Sequence, residues 1–286
     1  MAMNSEQLTF ASCGLIPEAT EKLSKHFDET TESANHRWDA LWEAGDFLPW
    51  DNGCPNTALQ EALEYRRQDL GESVFVMDPI TGEHRRKRAL VPGCGRGYDV
   101  LLLASFGYDA YGLEVSKEAV KRCYDYAREN QDKFPPRDEC VGAGRAHYIE
   151  GDFFSDRWYD QVTGNATFEL LFDYTFFCAL HPSLRASWSL RYAYLLSSHS
   201  DSCLVCVEFP TQKCPRSGGP PFGVPSDLYL AHLSYPGVNI TSDDEGKFIP
   251  AHDNRLLSAG LRRIAHWKPK ADSLGGVMDF VSVWKF

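Results

Sequence analysis

Three glycines, two carboxylates and three tryptophans carry most of the chemical information in this sequence. Gly93, Gly95 and Gly97 alternate within ALVPGCGRGYD (89–99), where an apolar run gives way to a helical pattern. Glycine lets a backbone approach a ligand with no Cβ in the way, and open α/β sheets bind ligands at such strand-to-helix turns. The dinucleotide fingerprint places its third glycine five residues after the first. Here the third stands four residues on, which counts against NAD and FAD. No lysine follows the glycines, so the phosphate-loop pattern is absent too. Glu114, 21 residues past Gly93, falls at the end of the next predicted strand, where a carboxylate accepts hydrogen bonds from ribose hydroxyls. Asp152, in EGDFF at the end of a third strand, is placed to meet an adenine amino group, with Phe153 beside the ring. A turn and two carboxylates after three successive strands fit an adenosine-containing ligand that lacks a pyrophosphate.

The tryptophans are a local surplus. Trp38, Trp42 and Trp50 fall within thirteen residues, in a chain that has only seven. They serve either as packing for a short cap helix or as an aromatic lid. Aromatic faces attract cations at about 0.5–2 kcal/mol per good contact, so a lid of this kind suits a positively charged ligand.

The elements that must position these residues are legible from periodicity. Residues 1–30 are polar and unpatterned, read as a frayed arm or a short helix. A short helix is expected over 36–41 and another from 56 or 57 to Gly71, with 71–87 a connector ending in HRRKR, read as a solvated strand entrance. From Arg88, strands and helices alternate: strands in RALVPG, DAYGLEVS, AHYIEGD, TFELLFDY and DSCLVCVEF, and helices over 98–107, 117–130 and 182–198. Two further helices are expected near 225–234 and 251–259, then two terminal antiparallel strands in GLRRIAHWKP and GGVMDFVSVWKF. Such alternation predicts a mostly parallel seven-stranded α/β sheet with helices on both faces and a terminal antiparallel hairpin. The expected organisation is a polar arm (1–36), a cap (37–71) and an α/β core (88–286), with 37–286 forming one domain.

Composition narrows the partners. There are 29 Lys and Arg against 40 Asp and Glu, a net charge of −11, which excludes a nucleic-acid binder working by bulk charge. No apolar run is long enough for a membrane helix, and the N-terminus lacks the basic and apolar regions of a signal peptide. Nine scattered cysteines suggest a reduced, cytoplasmic protein. Cys203 and Cys206 lie three apart in one predicted strand, hence on opposite faces, so no metal is expected there.

The motif order resembles class I (Rossmann-like) S-adenosylmethionine-dependent methyltransferases. Within them it resembles the thiopurine methyltransferase family, closest to its plant and fungal thiol and halide methyltransferase branch. The stretches that carry the resemblance are RWDALWEAGDFLPWDNG (37–53), LVPGCGRGYDV (90–100), YGLEVS (111–116), GDFF (151–154), FDYTFFCALHPSLRASW (172–188) and GGPPFGVPSDL (218–228). Residues 1–36 and 132–145 have no counterpart in it.

The resemblance implies S-adenosylmethionine as methyl donor, with S-adenosylhomocysteine as product. Trp38, Trp42 and Trp50 would line the donor, Gly93 and Gly95 its methionine part, Glu114 the ribose, and Asp152 with Phe153 the adenine. Tyr174 would stand near the transferring methyl, contacting the donor and acting in catalysis. Trp50, Tyr174, Phe177 and Phe222 would shape the acceptor side, with 210–225 as a substrate-side lid bearing Lys213 and Arg216. The mammalian thiopurine enzymes carry an arginine at the Tyr174 position, so the resemblance leans toward a small thiol, thiolate, thiocyanate or halide acceptor. Two alternatives stay open: O- or N-methylation of a larger secondary metabolite, and a non-catalytic donor-binding protein. The expected partner is a small molecule, with no nucleic acid, no membrane, and a monomeric state.

Overall fold

The alternation that begins at Arg88 folds as a sheet buried on both faces, its central strands being buried at nearly every position rather than every second one. In the computed structural model, residues 17–28, 33–71, 73–78, 81–162, 167–242, 248–250, 260–270 and 280–286 are described. Four helices come first: α1 (Pro17–Asp28), α2 (Ala34–Ala44), α3 (Thr57–Tyr65) and the single turn α4 (Arg67–Leu70). The core then runs β3 (Arg88–Pro92), α5 (Tyr98–Ser105), β4 (Asp109–Glu114), α6 (Lys117–Asn130), β5 (Ala146–Glu150), β6 (Leu170–Tyr174), α7 (Arg185–Leu195), β7 (Cys203–Glu208) and α8 (Ser226–Ser234). It closes with β10 (Arg262–Trp267) and β11 (Phe280–Lys285).

The seven-stranded sheet has the order β10-β11-β7-β6-β3-β4-β5. The five strands from β7 to β5 pair in parallel, and β11 joins β7 and β10 antiparallel, as the sequence led us to expect. The chain leaves β3 toward β4 on one side and returns to β6 on the other. The carboxyl ends beside β3 are therefore the switch point at which open α/β sheets bind ligands. Side chains alternate between two cores. Leu204 and Cys206 of β7 enter one, while Cys203 and Val205 enter the other, so the two cysteines do face opposite ways.

Three segments differ from the sequence reading. Residues 71–87 are not a plain connector: β1 (Phe75–Met77) and β2 (His84–Arg86) form a small antiparallel hairpin. Nor is HRRKR solvated, since Lys87 and Arg88 are 1% and 6% exposed. Arg85 spans Glu169 at 2.8 Å and Asp78 at 3.1 Å, while Arg86 donates to the carbonyls of Gly107 and Val141. Glu169 lies 84 residues from Arg85, so the pairing that permits this burial has no local signature. The long helix expected over 182–198 opens as one 3-10 turn, Pro182–Leu184, before α7 begins. A second hairpin, β8 (Ile240–Ser242) with β9 (Phe248–Pro250), was not foreseen. The helix expected over 251–259 lies outside the described residues. Among those described, no helix is long and apolar enough to cross a membrane.

Candidate active site

The glycine turn leaves β3 with Gly93, Gly95 and Gly97 all in left-handed backbone, at φ 59°, 55° and 76°. At Gly93 the demand is also steric, because an added Cβ would stand 2.6 Å from the Phe176 ring. Gly95 presents its bare Cα toward Trp42, whose ring carbon Cζ2 would lie 3.3 Å from an added Cβ. The turn is tied to the next strand: Gly95 N–H donates to Glu114 Oε2 at 3.1 Å. The other carboxylate oxygen of Glu114 accepts from Val115 N–H at 2.8 Å and Ser116 N–H at 3.1 Å. Glu114 is 6% exposed, and burial pushes its carboxyl above the usual range against the pull of these backbone donors. A carboxylate offers about four lone-pair sites, so room remains for a ligand hydroxyl.

Asp152, just past β5, accepts from Phe154 N–H at 2.9 Å and from Asn35 Nδ2 at 3.3 Å. Phe153 packs edge-on against Phe176 with centroids 5.1 Å apart, and Arg191 of α7 fixes its carbonyl at 2.8 Å.

The tryptophans come from α2 and the segment after it. Ser33 caps the start of α2, and Gly45 at φ 69° ends it. Trp38 and Trp42 therefore fall one turn apart on the same helix face, with Trp50 edge-on to both at 5.2 and 5.9 Å. Arg122 of α6 binds the Trp42 carbonyl at 2.6 Å. The Trp50 segment is pinned to the glycine turn by Asp51, which forms an ion pair with Arg96 Nε and accepts from Tyr98 OH, each at 2.7 Å. Asp99 accepts from Asn56 N–H at 2.7 Å, and burial raises its carboxyl to about 6.

These pieces enclose one cavity of about 360 Å³. The structure brings Trp38, Trp42, Trp50, Gly93, Gly95, Glu114, Asp152 and Phe153 together on its walls. Its remaining walls include Thr175, Phe176, Cys178 and His181, Pro220 and Pro221, and Leu23 of α1.

Three expected residues are not on those walls. Phe177 is fully buried and stacks on Trp188 with centroids 3.8 Å apart, so it belongs to the core and not to the acceptor side. Tyr174 is half-buried outside the lining, its hydroxyl accepting from Asn52 Nδ2 at 3.5 Å. Phe222 is off the lining that Pro220 and Pro221 join, its N–H donating to the Cys178 carbonyl at 2.7 Å and its ring edge-on to His181. For Phe177 the cause lies at Thr175, the only non-glycine at positive φ (57°) among the described residues. It breaks the alternation at the end of β6, turning Phe176 onto Gly93 and Phe177 inward. Asp173 is also internal: it accepts from Trp188 Nε1, Tyr192 OH and Phe177 N–H, and burial raises it to about 6. Lys213 is spent on the Pro221 carbonyl at 2.6 Å. Leu23, Asn35 and Thr175 were not foreseen. Leu23 sits in a polar helix that offers no motif, and only a backbone angle marks Thr175.

The walls fit the chemistry of an adenosyl sulfonium: aromatic faces for a cation, carboxylates for ribose hydroxyls and an adenine amine, and a glycine whose bare Cα leaves space. Among the described residues no group of His, Cys, Asp and Glu could hold a metal ion.

Comparison with known proteins agrees with this geometry. Residues 33–269 match the family model of thiopurine S-methyltransferase. The chain is 32% identical over 244 residues to probable thiol methyltransferase 2 of Arabidopsis thaliana, covering 83% of this chain and 87% of that one. It is 29% identical over 248 residues to thiocyanate methyltransferase 1 of Brassica oleracea, covering 87% and 90%. Among solved structures, magnesium protoporphyrin IX methyltransferase from Synechocystis PCC 6803 shares the fold, with a TM-score of 0.52 at 10% identity over 89% of this chain and 98% of that one. The family match takes in α2 with its tryptophans, the glycine turn, both carboxylates and the 218–222 loop, and the chain belongs to the thiopurine S-methyltransferase family.

Proposed function

We propose that this S-adenosylmethionine-dependent methyltransferase acts on a small sulfur nucleophile, a thiol taken as its thiolate, or on thiocyanate or a halide ion. The observation that carries the reading is the cavity. Donor and acceptor share a single space of about 360 Å³, near the lower end of the roughly 300–1,000 Å³ usual for ligand pockets. Little room is left for a large acceptor.

When bound, S-adenosylmethionine supplies a methyl group on a positively charged sulfur. The chain's own residues then have three tasks. Glu114 and Asp152 take up hydroxyl and amino donors, orienting what binds. Trp38, Trp42 and Trp50 present ring faces that favour a cation. Together with Phe153 and Phe176 they keep water out, and a dry site favours a reaction in which opposite charges cancel. A thiol has a pKa near 8.5, so only a modest shift yields the thiolate and no acid–base relay is required. The same reading puts the protein in the cytoplasm as a monomer; no disulfide joins the described cysteines, which supports a reducing compartment.

The test has two halves. Calorimetric titration with S-adenosylhomocysteine is expected to give saturable binding, and no heat at millimolar ligand sinks the donor assignment. Methyl transfer is then measured across thiols, thiocyanate, iodide and larger phenols or amines. Turnover confined to the large oxygen and nitrogen acceptors overturns the acceptor class.

A further inference from the structure

The cavity is electrically lopsided. Its only charged walls, Glu114 and Asp152, are both acidic and lie at the end built by the glycine turn and β5. No lysine or arginine lines it, and His181 is the one basic side chain on its surface among the described residues. It lines the cavity together with Leu180, Leu184 and Pro221.

The protonation pattern of His181 is set by its neighbours. Its ring caps the Pro182–Leu184 turn: Nδ1 accepts the backbone N–H of Ser183 at 3.3 Å and lies 2.8 Å from Ser183 Oγ. A backbone N–H can only donate, so Nδ1 carries no proton. The neutral ring must then hold its proton on Nε2, which makes that atom a donor. Edge-on packing against Phe222, with centroids 5.9 Å apart and planes at 87°, fixes the ring's orientation.

Two cations stand behind the same wall. Arg185, 7% exposed, donates to the Gly223 carbonyl, and Lys213 donates to the Pro221 carbonyl. Neither has a carboxylate within 4 Å among the described residues, so their charge is not cancelled locally. His181 itself is exposed at the cavity, and a fixed donor with uncancelled positive charge behind it favours an anion there.

We infer that His181 is the acceptor-specificity residue: its Nε2–H donates to the anionic acceptor, a thiolate, thiocyanate or halide, in a field set up by Arg185 and Lys213. The inference rests on the acceptor class proposed above, and it adds the group that selects for charge.

The test is a binding measurement, independent of turnover. Potassium thiocyanate is titrated calorimetrically into free protein and into protein saturated with S-adenosylhomocysteine, for the wild type, His181→Ala and His181→Gln. In His181→Ala, thiocyanate affinity is expected to fall about tenfold, equivalent to about 1.4 kcal/mol and in keeping with loss of one hydrogen bond to a charged group. His181→Gln, whose carboxamide restores an N–H, is expected to stay within about threefold of wild type. Affinity for S-adenosylhomocysteine should be the same in all three proteins, which also reports that each is folded. Thiocyanate binding within twofold of wild type in His181→Ala overturns the inference. So does absence of thiocyanate binding to the wild type, or a parallel loss of S-adenosylhomocysteine affinity. Failure of the acceptor class shows separately, as wild-type protein that binds thiocyanate yet methylates neither thiols nor anions.

Discussion

Replacing Glu114 with glutamine changes one atom and tests the donor end of the site. Glutamine keeps one carbonyl oxygen, which can go on accepting from Val115 and Ser116 as Oε1 does now. Its amide nitrogen then faces the Gly95 N–H across the present 3.1 Å, donor against donor. A ligand hydroxyl that loses a charged acceptor costs about 1.5–3 kcal/mol, which predicts roughly 10- to 150-fold weaker S-adenosylhomocysteine binding. The orphaned Gly95 N–H costs about 1–3 kcal/mol in free and bound protein alike, so it falls on the fold and not on the affinity. Burial holds this carboxyl above its usual range, so neutralising it recovers energy that offsets part of the lost hydrogen bond. Calorimetry with S-adenosylhomocysteine, paired with the melting temperature of the free protein, separates the two effects. Wild-type affinity should also fall on acidification as Glu114 protonates, while the glutamine variant stays flat over that range. A dissociation constant within threefold of wild type refutes the assignment of Glu114 to the ligand. So does a loss of affinity matched by a collapse in melting temperature.

Three shorter predictions follow from the same geometry. Asp99→Asn should stabilise the free protein. With its carboxyl raised to about 6 in the folded state, stability falls as pH rises from the unfolded value toward 6 and stays reduced above it. The variant therefore gains about 1–2 kcal/mol at pH 7.5, and scanning calorimetry should show the gain vanish near pH 4. Phe177→Ala should cost about 3–5 kcal/mol in urea unfolding while leaving the KM for a thiol acceptor unchanged, because the ring packs on Trp188 away from the cavity. Glu169→Ala, which takes the buried carboxylate from the Arg85 guanidinium and from the Arg88 backbone N–H, should cost about 3–5 kcal/mol of unfolding free energy.

What could be read from the sequence depended on how local its cause was. The strands and helices from Arg88 to β7 announce themselves by apolar runs and capping residues, and Ser116 before α6 is a cap visible in one line of sequence. The glycine turn, Glu114 and Asp152 were legible because each sits a fixed distance from a strand end. Trp38 and Trp42 share a helix face for the same reason. The residues misplaced by the reading depend on partners remote in sequence or on a single torsion. Arg85 meets Glu169 only after the sheet has formed, so a basic run that looks solvated becomes internal. The resemblance put Phe177 on the acceptor side, but past the left-handed Thr175 its ring packs on Trp188 in the core. Leu23 offers no clue at all, being one apolar residue in a helix of mostly polar ones.

That helix has a consequence of its own. α1 precedes the residues matched by the family model, which begin at 33, yet Leu23 is 2% exposed on the cavity wall and Ser24 reaches the Gly219 carbonyl. None of the seven strands depends on it for pairing. A substitution at Leu23 within this twelve-residue helix would therefore reshape one wall of the cavity while the strand pairing of the sheet stays as it is.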